Sequence, residues 1–417
     1  METRSSRSLL KVKQMVTVTG LGAISSLMIT SCLAVLTHSV LTTYLDAPGP
    51  SPAGICSSVV QPYGYSCEEH TVTTKDGYIL SVQRIPHGKR GSKISGQPVL
   101  LQHGVLMDGL TWLLNPPDQS LAYVLAESGF DVWIPNTRGT HFSRAHTSLQ
   151  PTDPAYWNWS WDELAAYDLP AVFGYVHGQT GQKINYVGHS QGTLMALASF
   201  SQGKLMDTVR SAALLSPIAY LSHMSSAIGQ LAAKAFVGEV TNWLGIAEFN
   251  PKGQAVAKFL KALCANPGID CYDLMTSFTG KNCCLNSSTV ELFLRYEPQS
   301  SSSKNMVHLA QMVRNGKIEM YNYGNPNDNM KHYGQADPPT YNMSNIPRQL
   351  PLFLSYGGQD ALSVTKDVEL LQDSLKFHEG DELTVQYIDN YAHADFVMGV
   401  SAKHTVYDPL IAFFNRH

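Results

Sequence analysis

Short apolar runs and longer amphipathic segments alternate along most of the chain. Residues 69–74 and 78–85 read as two strands around Lys75-Asp76-Gly77, a β-hairpin. The apolar runs at 99–102, 131–135, 184–187 and 212–215 are too short for helices and end in Gly, Asn or Ser, so they read as buried parallel strands. Between them, 119–128, 161–177 and 191–201 carry helical spacing. This alternation predicts an α/β fold, a mostly parallel sheet with helices on both faces.

The pattern breaks after Ser216-Pro217. From 218 to 345 helical periodicity is interrupted by Gly, Pro and Ser, and strand signals return at 350–356 and 383–388 before a last helix at 406–414. The expected organisation is one core in two parts, 57–217 and 346–417, with a mainly helical cap inserted at 218–345. Within the cap, Val256, Phe259, Leu260, Leu263 and Cys264 form one amphipathic stripe, and Phe236, Val240, Trp243 and Leu244 form a second. Such stripes either pack a cap onto the sheet or cover an apolar pocket, and a lid is expected within about 248–290.

Residues 1–47 differ from the rest. Arg4, Arg7, Lys11 and Lys13 precede a stretch from 14 to 45 without Asp, Glu, Lys or Arg, which reads as a cleaved signal peptide or an uncleaved signal anchor. Gly20-Leu21-Gly22 imitates a dinucleotide-binding turn, but Ser25 replaces its third glycine and no amphipathic helix follows. Entry into the secretory route gives meaning to Cys56, Cys67, Cys264, Cys271, Cys283 and Cys284 as disulfide candidates, Cys56 with Cys67 and a local cluster among the other four. Asn286, Asn342 and Asn158 head glycosylation patterns, the last among Trp157, Trp159 and Trp161.

The charge is close to neutral, 29 − 33 = −4, with 44% hydrophobic and 15% charged residues. A large core can form, and no basic cluster marks a nucleic-acid surface. The 15 His are scattered and neither H-E-x-x-H nor C-x-x-C occurs, so no metal or cofactor is expected.

Gly188-His189-Ser190-Gln191-Gly192 lies between an expected strand and an expected helix, the setting of a nucleophile elbow. A serine hydroxyl needs a base near neutral pH, and the base needs an acid to fix its tautomer. Asp360 follows one late strand and His393 the next, in the order such an elbow requires; Asp367, Asp389 and Asp395 are rival acids, and His378 and His404 rival bases. The developing oxyanion needs amide donors, for which Gln191 and Val105 are the candidates; His103 beside Val105 reads as a packing residue.

The chain resembles the acid lipases of the α/β-hydrolase superfamily, which include gastric and lysosomal acid lipases and plant and fungal triacylglycerol lipases. Thr74-Lys75-Asp76-Gly77-Tyr78, Leu101-Gln102-His103-Gly104-Val105-Leu106, Tyr167-Asp168-Leu169-Pro170-Ala171, the Ser190 elbow, Gly357-Gly358-Gln359-Asp360 and His393-Ala394-Asp395-Phe396 carry the resemblance. It implies an α/β-hydrolase fold with a lidded cap, Ser190, Asp360 and His393 as the triad, and Val105 and Gln191 as oxyanion donors. It also implies a lipid ester substrate at a lipid–water interface, most readily a triacylglycerol, with membrane contact through the lid or the N-terminal segment. A sterol-ester or short-chain esterase, or a catalytically silent binding protein, are the alternatives. The expected location is the secretory pathway: outside the cell, in a lysosome or vacuole, or anchored to a membrane.

Overall fold

The computed structural model describes residues 54–90, 96–235, 246–253 and 274–417. The leader, Cys264, Cys271 and both amphipathic stripes lie outside the described residues. Strands β1 (Glu68–Thr73), β2 (Tyr78–Ile85), β3 (Pro98–Gln102), β4 (Asp131–Pro135), β5 (Ala145–His146), β6 (Ile184–His189), β7 (Val209–Leu215), β10 (Leu352–Gly357) and β11 (Leu383–Ile388) form one nine-stranded sheet. Its order is β1-β2-β4-β3-β6-β7-β10-β11, with β5 added to β2. Strands β4 to β11 along this path are parallel, while β1 and β2 pair antiparallel.

Alternation along the strands divides the core into two layers. Leu100, Trp133, Tyr186, Leu214 and Leu354 point to one face; Val99, Leu101, Ile134, Val187, Leu215 and Phe353 point to the other. Helices α2 (Leu169–Thr180) and α3 (Gln191–Ser201) cover the first face, and α1 (Leu121–Glu127) and α9 (Asp408–Arg416) the second. Truncating a buried leucine such as Leu100 to Ala removes about 2–5 kcal/mol.

Two of the resembling motifs converge on one buried cation. Arg138, 1% exposed, bridges Asp76 of the hairpin turn and Asp168 at the start of α2, each at 2.6 Å, with its guanidinium 3.8 Å above the Tyr78 ring. Removing either carboxylate would leave buried guanidinium N–H donors of Arg138 without an acceptor, so this cation holds hairpin and helix together.

Between β7 and β10 the described residues form α4 (Ala227–Ala235), α5 (Leu274–Thr279), α6 (Ser287–Tyr296), α7 (Ser303–Asn315), α8 (Pro326–Tyr333) and a small sheet of β8 (Glu248–Phe249) with β9 (Ser301–Ser302). Ala233, Phe249, Val307 and Ala310 make a separate small core there. Arg144 pairs with Glu248 at 2.9 Å, and the Ser302 hydroxyl donates to the Trp157 carbonyl at 2.6 Å, tying this segment to the sheet. Among the described residues no helix is long and apolar enough to cross a membrane.

Candidate active site

Strand β6 runs two residues further than its apolar run predicts, because Gly188 and His189 continue the parallel pairing with Leu214 and Leu215. The chain then turns sharply at Ser190, at φ 55° and ψ −122°, and enters α3 at Gln191. A non-glycine residue there carries roughly 1–3 kcal/mol of strain, which the surroundings must hold. They do so by close approach. A Cβ on Gly188 would lie 2.8 Å from the Tyr186 ring, and one on Gly192 would lie 2.6 Å from the Gln102 carbonyl oxygen. Tyr186 OH donates to the Gly192 carbonyl at 2.6 Å, and the Thr193 hydroxyl donates to the Ser190 carbonyl at 2.6 Å.

Asp360 follows β10 and His393 follows β11, and both side chains are buried. The structure brings Asp360, and none of the rival acids, into hydrogen-bond contact with His393: Nδ1 lies 2.9 Å from Oδ2 and 3.1 Å from Oδ1. Burial pushes the Asp360 carboxyl up, but the adjacent His393 and the amides of Leu362 and Ser363 together hold it below its ordinary value. An ionised Asp360 fixes the proton on Nδ1 and leaves Nε2, which has no hydrogen-bond partner among the described residues, free to accept a proton. His378 and His404 contact the Leu375 carbonyl and Asp408 instead. Asp367 holds His223, and Asp389 accepts from Tyr387.

His189 supports His393. Its Nε2 donates to the His393 carbonyl at 2.9 Å, with ring centroids 4.7 Å apart. Burial first, then the neighbouring His393, pushes His189 down to about 3, so it stays neutral.

On the other side, Gly104 packs against Ser190: a Cβ there would come within 2.9 Å of Ser190 Cβ. Val105 and Gln191, the two candidate oxyanion donors, line one small cavity with Gly104, Thr137 and Trp159. His103 shapes this loop. Its Nδ1 donates to the Gly104 carbonyl at 2.8 Å while its Nε2 accepts from the Thr137 amide at 3.1 Å, and burial lowers it to about 4, keeping it neutral. The Gln191 side chain is held from the insertion by Asn305 on α7, at 3.0 Å.

Sequence patterns did not reveal a strap at 279–285 that braces both late loops. The Thr279 carbonyl accepts the amides of His393 at 3.1 Å and Ala361 at 3.3 Å. Asn282 accepts from the Ala394 amide, and Asp395 accepts the amides of Cys283 and Cys284 at 3.1 and 3.0 Å as well as that of Ala392. Gly280, at φ 94°, permits the approach, since a Cβ would lie 2.0 Å from the Gln359 carbonyl oxygen. Part of the segment expected to contain a lid is therefore bonded to the base and acid loops.

Cys56 is joined to Cys67, and Cys283 to Cys284. Cys283, Cys284 and Asp395 are the group of metal-ligating side chains that lie together among the described residues. With the sulfurs bonded to each other and the carboxylate filled by amides, they offer a metal no free donor set. Asn286 and Asn342 are exposed, each accepting the amide two residues on. Asn158 is exposed too, because its flanking Trp157 and Trp159 turn inward.

A family model described as a partial alpha/beta-hydrolase lipase region matches residues 56–116, and one for the alpha/beta hydrolase fold matches residues 97–394. The chain is 55% identical over 412 residues to triacylglycerol lipase 2 of Arabidopsis thaliana, covering 96% of this chain and 98% of that protein. It is 35% identical over 399 residues to gastric triacylglycerol lipase of Rattus norvegicus, covering 90% and 98%. Among solved structures, a soluble variant of monoglyceride lipase from Saccharomyces cerevisiae in complex with a substrate analog aligns with a TM-score of 0.51 at 14% identity, covering 88% of this chain and 99% of that one. At that identity the likeness speaks for the fold.

Proposed function

The chain belongs to the α/β-hydrolase lipase family, and from that premise we propose that Ser190, His393 and Asp360 carry its chemistry, with Val105 and Gln191 as oxyanion donors. The protein is a lipase, a carboxylic ester hydrolase with a serine mechanism. Its substrate in this reading is a triacylglycerol of long-chain acids, met at a lipid–water interface.

Ser190 Oγ attacks the ester carbonyl carbon while its proton passes to His393 Nε2. The oxyanion that forms is met by the two amides, and Asp360 stabilises the charged imidazole. Collapse breaks the bond to the alcohol, which leaves with the proton from His393. Water then repeats the sequence on the acyl-enzyme and releases the fatty acid. The observation that carries the assignment is a histidine whose Nδ1 is bound to a buried carboxylate and whose Nε2 is unpartnered, beside a strained serine elbow.

The insertion at 218–345 acts as the cap over the acyl site. The leader pattern, the Cys56–Cys67 disulfide and the exposed Asn286 and Asn342 support a route through the secretory pathway, with a glycosylated product. Purified protein assayed on esters of graded acyl length tests the reading. Emulsified long-chain triacylglycerols should be hydrolysed, and a fluorophosphonate should label Ser190. Hydrolysis confined to soluble short-chain esters would turn the assignment to an esterase, and a label on another serine would move the nucleophile.

A further inference from the structure

The oxyanion loop is fastened to the insertion by a pair of acidic side chains that lie 189 positions apart. Asp108 and Glu297 are both completely buried. One oxygen of each accepts a main-chain amide: Asp108 Oδ1 from Leu110 at 2.8 Å, and Glu297 Oε1 from Asp108 at 3.0 Å. The second oxygens, Asp108 Oδ2 and Glu297 Oε2, are buried with no donor among the described residues. The two carboxyl groups are near neighbours, since Glu297 Oε1 sits on the main-chain amide of Asp108 itself. Ionised carboxylates only accept, so a hydrogen bond between two such groups, each with an oxygen that no described donor reaches, takes a proton.

The same two segments meet at a second point. The Gln299 amide donates to the Leu106 carbonyl at 2.7 Å, and Leu106 sits at φ 59°, a left-handed conformation that leucine does not adopt unaided. The course of the loop from Gly104 to Asp108 is therefore imposed from outside.

We propose that one proton shared by Asp108 and Glu297 pins the oxyanion loop to the insertion, which makes the two residues positioning residues for ester hydrolysis. This rests on the reading of Val105 as an oxyanion donor. When the proton leaves to solvent, two like charges face each other in a buried site, the pair separates, and the Val105 amide loses its aim. Burial raises both groups, Asp108 to about 6 and Glu297 well above its ordinary value, so the clamp holds in acid and fails as pH rises. Lys252 is the charged group that acts on both; its ammonium donates to the Tyr296 and Arg295 carbonyls at 3.0 and 3.4 Å. His141, which burial and then the charges of Arg144 and Lys252 disfavour from charging, donates its amide to Gln299.

The test is the pH profile of kcat and KM on a soluble short-chain ester, using the full chain. Wild type should lose kcat on the alkaline side. In Glu297→Gln the amide oxygen still accepts from Asp108 and the amide nitrogen donates to Asp108 Oδ2, so the clamp no longer depends on a proton. That alkaline loss should move up by at least about one pH unit. Glu297→Ala should lower kcat about 10- to 100-fold across the profile with KM changed less than about threefold, and Glu297→Gln should restore it. A wild-type kcat that stays flat to high pH, or an alkaline limb shared by wild type and Glu297→Gln, overturns the proposal. If Glu297→Ala does not fold, the Glu297→Gln profile decides alone. A fluorophosphonate label on a serine other than Ser190 would instead reject the catalytic reading, whatever the carboxyl variants do.

Discussion

The elbow at Ser190 and the loop at 104–108 lie against each other but take their shapes from different parts of the chain. At the elbow, Tyr186, Gly188, Gly192 and Thr193 do most of the shaping, all within four positions of the nucleophile. The loop answers to Thr137, Glu297 and Gln299, two of them in the inserted segment. A turn built from its neighbours keeps its geometry whatever the insertion does. A loop built from afar transmits to the chemistry any change in how the insertion sits.

The sharpest way to break this contrast is at the elbow itself. Ser190→Ala, His393→Ala and the double variant should each lose roughly 10⁴- to 10⁶-fold in kcat, with no added loss in the double, because the groups act as one unit. Near-normal turnover by Ser190→Ala would remove the elbow from the mechanism. Gly104→Ala should cost about 10- to 100-fold in kcat, since its methyl would meet Ser190 Cβ at 2.9 Å and push the loop away. Unchanged kcat would show the loop free to shift without consequence.

The late loops give a third case. Asp395→Asn replaces a carboxylate that accepts three amides, Cys283, Cys284 and Ala392, and should lower stability by about 1–3 kcal/mol with a few-fold fall in kcat. Equal melting temperatures for variant and wild type would make the strap dispensable. Asn305→Ala, which releases the Gln191 side chain from α7, should change kcat by about two- to tenfold and stability by about 0.5–1.5 kcal/mol. An effect as large as that of Gly104→Ala would place the insertion's influence at the elbow as well.

The smallest expected effect concerns pH and stability. Burial raises Asp162 to about 7, even though it accepts from the Tyr321 amide and Tyr341 hydroxyl of the inserted segment. A carboxyl raised in the folded state contributes stability that is complete below its unfolded value and is lost as pH rises through the folded one. The melting temperature should therefore drift down between about pH 4 and pH 7, and Asp162→Asn should flatten the drift. A slope that Asp162→Asn leaves unchanged would locate the drift elsewhere.

What could be read from the sequence follows the same division. The runs at 131–135 and 383–388 coincide with β4 and β11, the first because a buried strand writes its apolar residues side by side, the second because apolar and polar residues alternate along an edge strand. Strand β5, Ala145–His146, is two residues of polar edge and leaves no pattern. Helix α2 was legible in its apolar spacing, whereas the π-turn Leu164–Asp168 before it, one residue wider per turn, keeps the same composition and so escapes notice. The contact of Asp360 with His393 could be anticipated from two loops that follow neighbouring parallel strands. Asp108 and Glu297 could not, since an isolated acidic residue reads as surface and nothing local says that it is buried opposite another. The strap is equally silent, being held by main-chain amides against Asp395, 111 and 112 positions away.

The parallel pairing of β7 with β10, across the insertion, also sets a timetable for synthesis. A growing chain carries Ser190 and the oxyanion loop long before it carries an acid or a base, a delay of roughly 10–40 s for about 200 residues at ribosomal speed. If the proposed triad carries the chemistry, then until β10 and β11 join the sheet Ser190 has no histidine to take its proton, and the unfinished polypeptide is inert toward esters. On that reading the order of the strands itself keeps the chain silent during its own manufacture, with no inhibitor required.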